Sequence, residues 1–173
     1  MQKQIIEILD YNPAWPMAYQ KESQIIVDIF CNHIVRIHHI GSTSVPNLKA
    51  KPIIDIMLEV DSVSALDRYN NDMEQIGYTP KGEFGILGRR FYLKGLYNRT
   101  HHIHAFQSQS LDAIRHLAFR DYLIAHPNIA REYEQLKIRC ANECRNDMDK
   151  YCDGKHEFVQ LHERKAVEWY QAT

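Results

Sequence analysis

The sequence predicts an α/β chain, with a mixed β-sheet flanked by helices and a helical C-terminal part. Three observations carry this. Val35–Ile40 and Ile53–Val60 are rich in β-branched residues and read as strands. A helix-spaced set, Val63, Leu66, Tyr69, Met73 and Ile76, comes next, before two further strand candidates, Arg89–Lys94 and His101–Phe106. Beyond Gln109 the composition turns helical. Residues 1–173 read as one domain, with a sheet-containing core over 1–109 and a helical part over 110–173.

Ile5–Leu9 alternates weakly and is expected as an edge strand. Met1–Gln4 leads straight into it, unlike a signal peptide. Asp10–Pro13 is a turn cluster. Pro16 suits the first turn of a helix reaching about Asn32, with Tyr19, Ile26, Ile29 and Phe30 on one face and Trp15 packed as core. Val35–Ile40 alternates with period two until Gly41-Ser42 ends it, and Pro46 and Pro52 bracket a loop. Ile53–Val60 is nearly continuous in apolar residues, as in a strand buried on both faces. Asp55 interrupts that run. A buried carboxylate without a partner is costly, so Asp55 has a cation partner or sits at an open end of the sheet.

Asp61-Ser62 reads as the N-cap of a helix closed by Gly77, a crossover of the kind a partly parallel sheet requires. Lys81–Gly88 holds three glycines at the wrong spacing for a nucleotide fingerprint and reads as a mobile loop or loose hairpin. Ser110 caps a helix reaching about Ala125, and His126-Pro127 marks a break. Two more helices are expected, from about Asn128 towards Asn142 and from about Gly154 to Tyr170.

The composition narrows the function classes. The 173 residues are 45% hydrophobic and 25% charged, ordinary for a soluble globular protein, and no apolar run reaches the length of a membrane span. A net charge of −1 argues against nonspecific nucleic-acid binding. Cys31, Cys140, Cys144 and Cys152 include no CxxC pair, so a cytoplasmic protein with reduced thiols is the expectation. A zinc site from Cys140, Cys144, Cys152 and His156 lacks paired knuckle cysteines. GxSxG and Walker-type motifs are both missing.

Several residues can carry chemistry. His102 and His104 point to one face of their strand. If that strand neighbours Ile53–Val60, Asp55, His102 and His104 converge, with His39 near the Gly-Ser turn. Imidazoles suit Zn²⁺, Mn²⁺, Fe²⁺ or Ni²⁺ better than Mg²⁺, and a neutral histidine such as His104 can equally act as general base. The plain alternative is partly buried strand histidines with hydrogen-bond partners. Of the cations, Lys51 and Arg90 are the candidates for clamping phosphate oxygens. Read locally, Gly41-Ser42 is a turn in which Ser42 bonds its own backbone. As adjacent helical residues, Arg120 and Asp121 point about 100° apart and are expected to pair elsewhere.

The stretch HIGSTSVPNLKAKPIIDI, His39–Ile56, resembles the signature of the GrpB family, of the nucleotidyltransferase superfamily with its DNA polymerase beta-like fold. Phe119–Leu123, Ala125–Pro127 and Tyr133–Lys137 resemble that family's C-terminal helical block, so the likeness runs from about Leu9 to Phe158. The resemblance implies that Gly41 and Ser42 touch a nucleotide's phosphates. It also implies that Asp55 holds a divalent ion, Mg²⁺ or Mn²⁺, with Zn²⁺ admitted by the histidines. The expected ligand set is Asp55, His102, His104 and His39; the expected catalytic pair is Asp55 and His104. The chain departs from the superfamily pattern at Met57, where a second acid belongs, and Glu59 lies about 13 Å along the strand from Asp55, too far to replace it.

The implied reaction is nucleotidyl transfer to a hydroxyl or phosphate acceptor, from a nucleotide or another phosphorylated small molecule. GrpB-like domains also occur joined to dephospho-coenzyme A kinase, which points to a coenzyme A-related ligand by analogy. Two alternatives stand beside it: a ligand- or partner-binding domain that keeps the fold without the chemistry, and a metal-dependent phosphohydrolase using the same site. The oligomeric state is open.

Overall fold

The structure, a computed structural model, describes residues 5–173; Met1–Gln4 lie outside the described residues. Five strands form one mixed sheet: β1 (Ile34–Ile40), β2 (Ile54–Val60), β3 (Tyr78–Pro80), β4 (Arg90–Lys94) and β5 (His101–Gln107), in the order β1-β2-β5-β4-β3. The β2–β5 pair is parallel and the others are antiparallel. The apolar run of β2 therefore sits where it was expected, at the interior of the sheet, with only Asp55 incompletely buried.

Period-two alternation splits the sheet into two faces. On one, Ile54, Ile56, Leu58 and Val60 of β2 and Ile103 and Ala105 of β5 pack against helix α1 (Trp15–Phe30), which buries Trp15, Ile26 and Phe30. On the other, Ile40, Met57 and Phe106 pack against Ala113 of helix α3 (Leu111–Ala125). Met57 is fully buried in this second cluster, so the position of an expected acid is spent on core packing. Helix α4 (Pro127–Glu143) and helix α5 (Met148–Ala172) complete the C-terminal part, with α5 packed against both α3 and α4.

Several expectations need correction. Ile5–Leu9 makes no edge strand, only a bridge in which Leu9 and Ala50 exchange N–H···O bonds of 2.8 and 3.0 Å. The helix expected after Asp61 is a 3-10 turn over Ser64–Tyr69 followed by the short α2 (Asn70–Gln75). It leads into β3, an edge strand too short to show an alternation and ended by Pro80. The parallel neighbour of β2 is β5, reached only after β3 and β4.

Helix α4 starts at the break predicted at His126-Pro127, and Ser110 caps α3 by accepting from Ala113 N–H at 3.3 Å. Helix α5 begins six residues before Gly154, capped by Asp147, which accepts from the N–H groups of Asp149 and Lys150 at 3.0 and 3.2 Å. Gly154 lies inside the helix because α4 passes close by. A Cβ there would stand 2.7 Å from Cys140 Sγ.

No helix of the described residues is long and apolar enough to cross a membrane.

Candidate functional site

The parallel register pairs Asp55 with His102 and Met57 with His104, so Asp55, His102 and His104 share the sheet face covered by α3. Asp55 Oδ1 lies 3.1 Å from His104 Nε2 and 3.5 Å from His102 Nδ1. Burial alone would raise the Asp55 pKa, but hydrogen bonds from the two histidines hold its carboxyl well below the usual carboxylate range. Burial acts on His104 the opposite way, favouring its neutral form against the pull of the adjacent carboxylate. Among the described residues, this trio is the one group of His, Cys, Asp or Glu whose ligand atoms gather, all within 4.8 Å of one another. The cysteine-based alternative, Cys140, Cys144, Cys152 and His156, does not come together.

The Gly-Ser turn is built against Asp55. β1 pairs Ile40 with Asp55, so the chain leaves the strand beside the carboxylate. Gly41 takes φ +73°, and a Cβ on it would stand 2.7 Å from Asp55 Oδ2. Only glycine satisfies both the backbone conformation and the close approach. Ser44 N–H donates to Gly41 O at 3.1 Å and Val45 N–H to Ser42 O at 3.2 Å, which closes the turn.

Asp55, His102, His104, Gly41, Ser42 and Lys51 all line one cavity of about 270 Å³. Two other expected site residues are not there, for a reason of strand parity. His39 pairs with Ile56 and faces α1, where its ring stacks on Tyr19 at 4.8 Å and its Nε2 meets Thr43 Oγ1 at 2.9 Å. Burial pushes His39 down to about 4. It belongs to no metal-ligand group. Arg90 pairs with Ala105, likewise on the α1 face, and grips Asp67 through two bonds of 2.8 and 3.1 Å. It is not a clamp for this cavity.

Helices supply the rest of the lining. Lys137 of α4, only 2% exposed, donates from Nζ to Ser42 Oγ at 2.9 Å and to Lys49 O at 2.6 Å. Burial and the nearby Lys155 push its pKa down to about 7. Lys155 of α5 and Lys51 flank the Tyr151 ring, their ammonium groups 4.9 and 4.8 Å from its centroid. His116 of α3 stands 5.4 Å from His104, ring to ring, with its buried Nε2 unpartnered. Arg120 donates to His39 O at 3.1 Å and, against expectation, to its neighbour Asp121 at 2.8 Å; flexible side chains bridge the 100° between them.

Sequence reasoning missed Lys137, Lys155 and His116, although one signal was available. Ala130, Tyr133, Lys137 and Cys140 form the buried stripe of α4, and a lysine in an apolar stripe marks a buried cation in need of a partner.

Comparison with known proteins agrees with this architecture. A family model described as "GrpB protein" matches residues 5–165. The UPF0157 protein YqkA of Bacillus subtilis is 45% identical over 167 residues, covering 96% of this chain and 49% of that protein. A dephospho-CoA kinase of Mycobacterium leprae is 26% identical, covering 94% of this chain and 46% of that protein. The chain thus spans about half the length of both. The crystal structure of the conserved protein GrpB from Enterococcus faecalis superposes with a TM-score of 0.92 at 40% identity, covering 95% of this chain and 99% of that one. Family match and superposition both extend over nearly the whole chain, sheet and C-terminal helices alike: the chain belongs to the GrpB family.

Proposed function

We propose that this chain is a metal-dependent phosphotransfer enzyme, in its first reading a nucleotidyltransferase acting on a nucleotide or another phosphorylated small molecule. The observation that carries the proposal is the meeting of Asp55 with His102 and His104 in a cavity also lined by Ser42 and lysines. The donor set fits a divalent ion: one carboxylate and two imidazoles whose ligand atoms lie within 4.8 Å of one another. Two imidazoles favour Zn²⁺ or Mn²⁺ over Mg²⁺. When bound, the ion supplies neutralisation of charge on a phosphoryl group.

The chain's own groups do the rest. Asp55 stays ionised, Gly41 lets the turn approach it, and His116 packs beside His104 in the cavity wall, where burial keeps its ring neutral. Membership of the nucleotidyltransferase superfamily is supported by the Gly-Ser turn standing against an acid on a strand of a mixed sheet. The likeness to part of a dephospho-CoA kinase supports a coenzyme A-related ligand.

A second reading has its own observation. Met57 leaves Asp55 as the sole carboxylate in the cavity lining among the described residues, which disfavours a two-ion site and favours either hydrolysis with a single ion or binding without turnover. Calorimetric titration with Zn²⁺, Mn²⁺ and Mg²⁺, followed by a phosphorus NMR assay over nucleoside triphosphates and coenzyme A precursors, separates these readings. Asp55→Asn is expected to fold, lose the ion and lose turnover. Unchanged turnover in that variant would sink both enzymatic readings; ligand affinity without turnover in the parent protein would leave the binding module.

A further inference from the structure

The cavity wall opposite in chemistry to the acid and histidines is cationic and incomplete. Lys51, Lys137 and Lys155 all line it, and among the described residues none of the three has a carboxylate within 4.0 Å. Lys137 is 2% exposed and satisfied only by a hydroxyl and a carbonyl. Tyr151, 0% exposed, carries a buried hydroxyl with no hydrogen-bond partner in the same lining. A buried ammonium without a counter-charge is expensive, as is an orphan hydroxyl, and their convergence on one space calls for an anion rich in acceptors. Asp55, the one carboxylate among the described lining residues, is engaged by two histidines and lies beyond 4.0 Å of all three ammonium groups.

We propose that Lys51, Lys137 and Lys155, with the Tyr151 hydroxyl, form a phosphate site on the helical side of the cavity that takes a multiply charged phosphoryl group of the ligand. The site differs from the one the Gly-Ser turn suggests. Ser42 accepts from Lys137 through its hydroxyl oxygen, so the turn positions the lysine, the lysines supply the positive charge, and the Ser42 O–H is left to donate. The inference rests on the reading above only in taking the ligand to be phosphorylated. Ion binding at Asp55 is not needed for it.

The test is calorimetric titration of the full chain with inorganic phosphate and pyrophosphate in the presence of a chelator. Pyrophosphate is expected to bind, about tenfold or more weakly in Lys137→Met and in Lys155→Met. Asp55→Asn is expected to bind it at least as well as the parent, because the variant removes the cavity's negative charge. Equal affinity in the parent and both lysine variants, or no binding of either anion with or without added Zn²⁺, would overturn the proposal. If Lys137→Met fails to fold, reductive methylation of the parent protein decides: pyrophosphate must protect the half-buried Lys51 and Lys155, and absence of protection overturns the site. Pyrophosphate binding in a protein that takes up no metal ion would refute the metal-dependent reading and leave the phosphate site standing.

Discussion

A Cβ placed on Gly41 would stand 2.7 Å from Oδ2 of Asp55, closer than any real contact allows. The turn and the acid thus occupy one another's only free space. Gly41→Ala must move one of them and also hold an L-residue at φ +73°. The expected cost is about 1–3 kcal/mol of stability, with weakened ion uptake at Asp55. Thermal denaturation and a Zn²⁺ titration of the variant check this; unchanged ion affinity would show that Asp55 does not need its present position.

His39 supplies a pH signature. Its folded pKa, lowered to about 4 by burial, lies below the ordinary value of 6.5, with Asp55 acting upward and Arg120 downward. Between those values the unfolded chain binds more protons, so stability from this group is full above pH 6.5 and falls as pH drops towards 4. Tyr19 stacks on the ring and Thr43 bonds it, and neither changes charge in this range. His39→Gln should flatten the denaturation midpoint against pH within that window. A profile as steep as the parent's would assign the slope to other groups.

Lys137 makes phosphate binding pH-dependent in the other direction. Its pKa is about 7, set by burial, with Lys155 and Lys51 acting downward and Glu134 upward. Only the ammonium form attracts a phosphate oxygen, so pyrophosphate affinity should fall as pH rises above 7. Binding at pH 8 should take up protons, read as a dependence of the calorimetric heat on buffer ionisation enthalpy. No proton uptake would mean that Lys137 stays charged throughout.

The opposite face of the sheet offers a stability control. Glu22 of α1 is buried and accepts from Lys94 Nζ at 2.7 Å and from the Tyr78 hydroxyl at 2.8 Å. Glu22→Ala leaves both donors without a partner and should cost about 2 kcal/mol or more, roughly 4–8 °C in melting temperature. Pyrophosphate and ion affinities should be unchanged, since this cluster lies behind the sheet. Loss of either affinity would mean that the two faces are coupled.

At the helix crossing, Gly154→Ala drives a methyl into Cys140 Sγ and should destabilise by about 1–3 kcal/mol. Cys140→Ala makes room, so the double variant should recover most of that loss; additive losses would contradict the close approach.

Strand periodicity made much of this legible. The β-branched runs located β1 and β2, while β4 and β5 were legible as two strand candidates either side of a loop, and the parity of His102 and His104 set both on the face of Asp55 once β2 and β5 paired. The same parity rule, applied to the antiparallel partner, sends His39 and Arg90 to the far face, but it needs the register, which the sequence alone does not supply. β3 was hidden by its length and Pro80. Lys137 and Lys155 were hidden by sequence distance: they lie far along the chain from Ser42 and join its cavity only through the docking of α4 and α5. A propensity for helix gives no information on which strand end a helix will cover.

The cavity draws Asp55, His102 and Ser42 from the sheet, and Lys137 and Lys155 from helices that follow much later in the chain. A ligand bridging the two halves therefore binds only where they are already joined, and by mass action it must hold them together. Amide hydrogen exchange should slow along α4 and α5 when the cavity fills, even though these helices hold none of the proposed ion ligands.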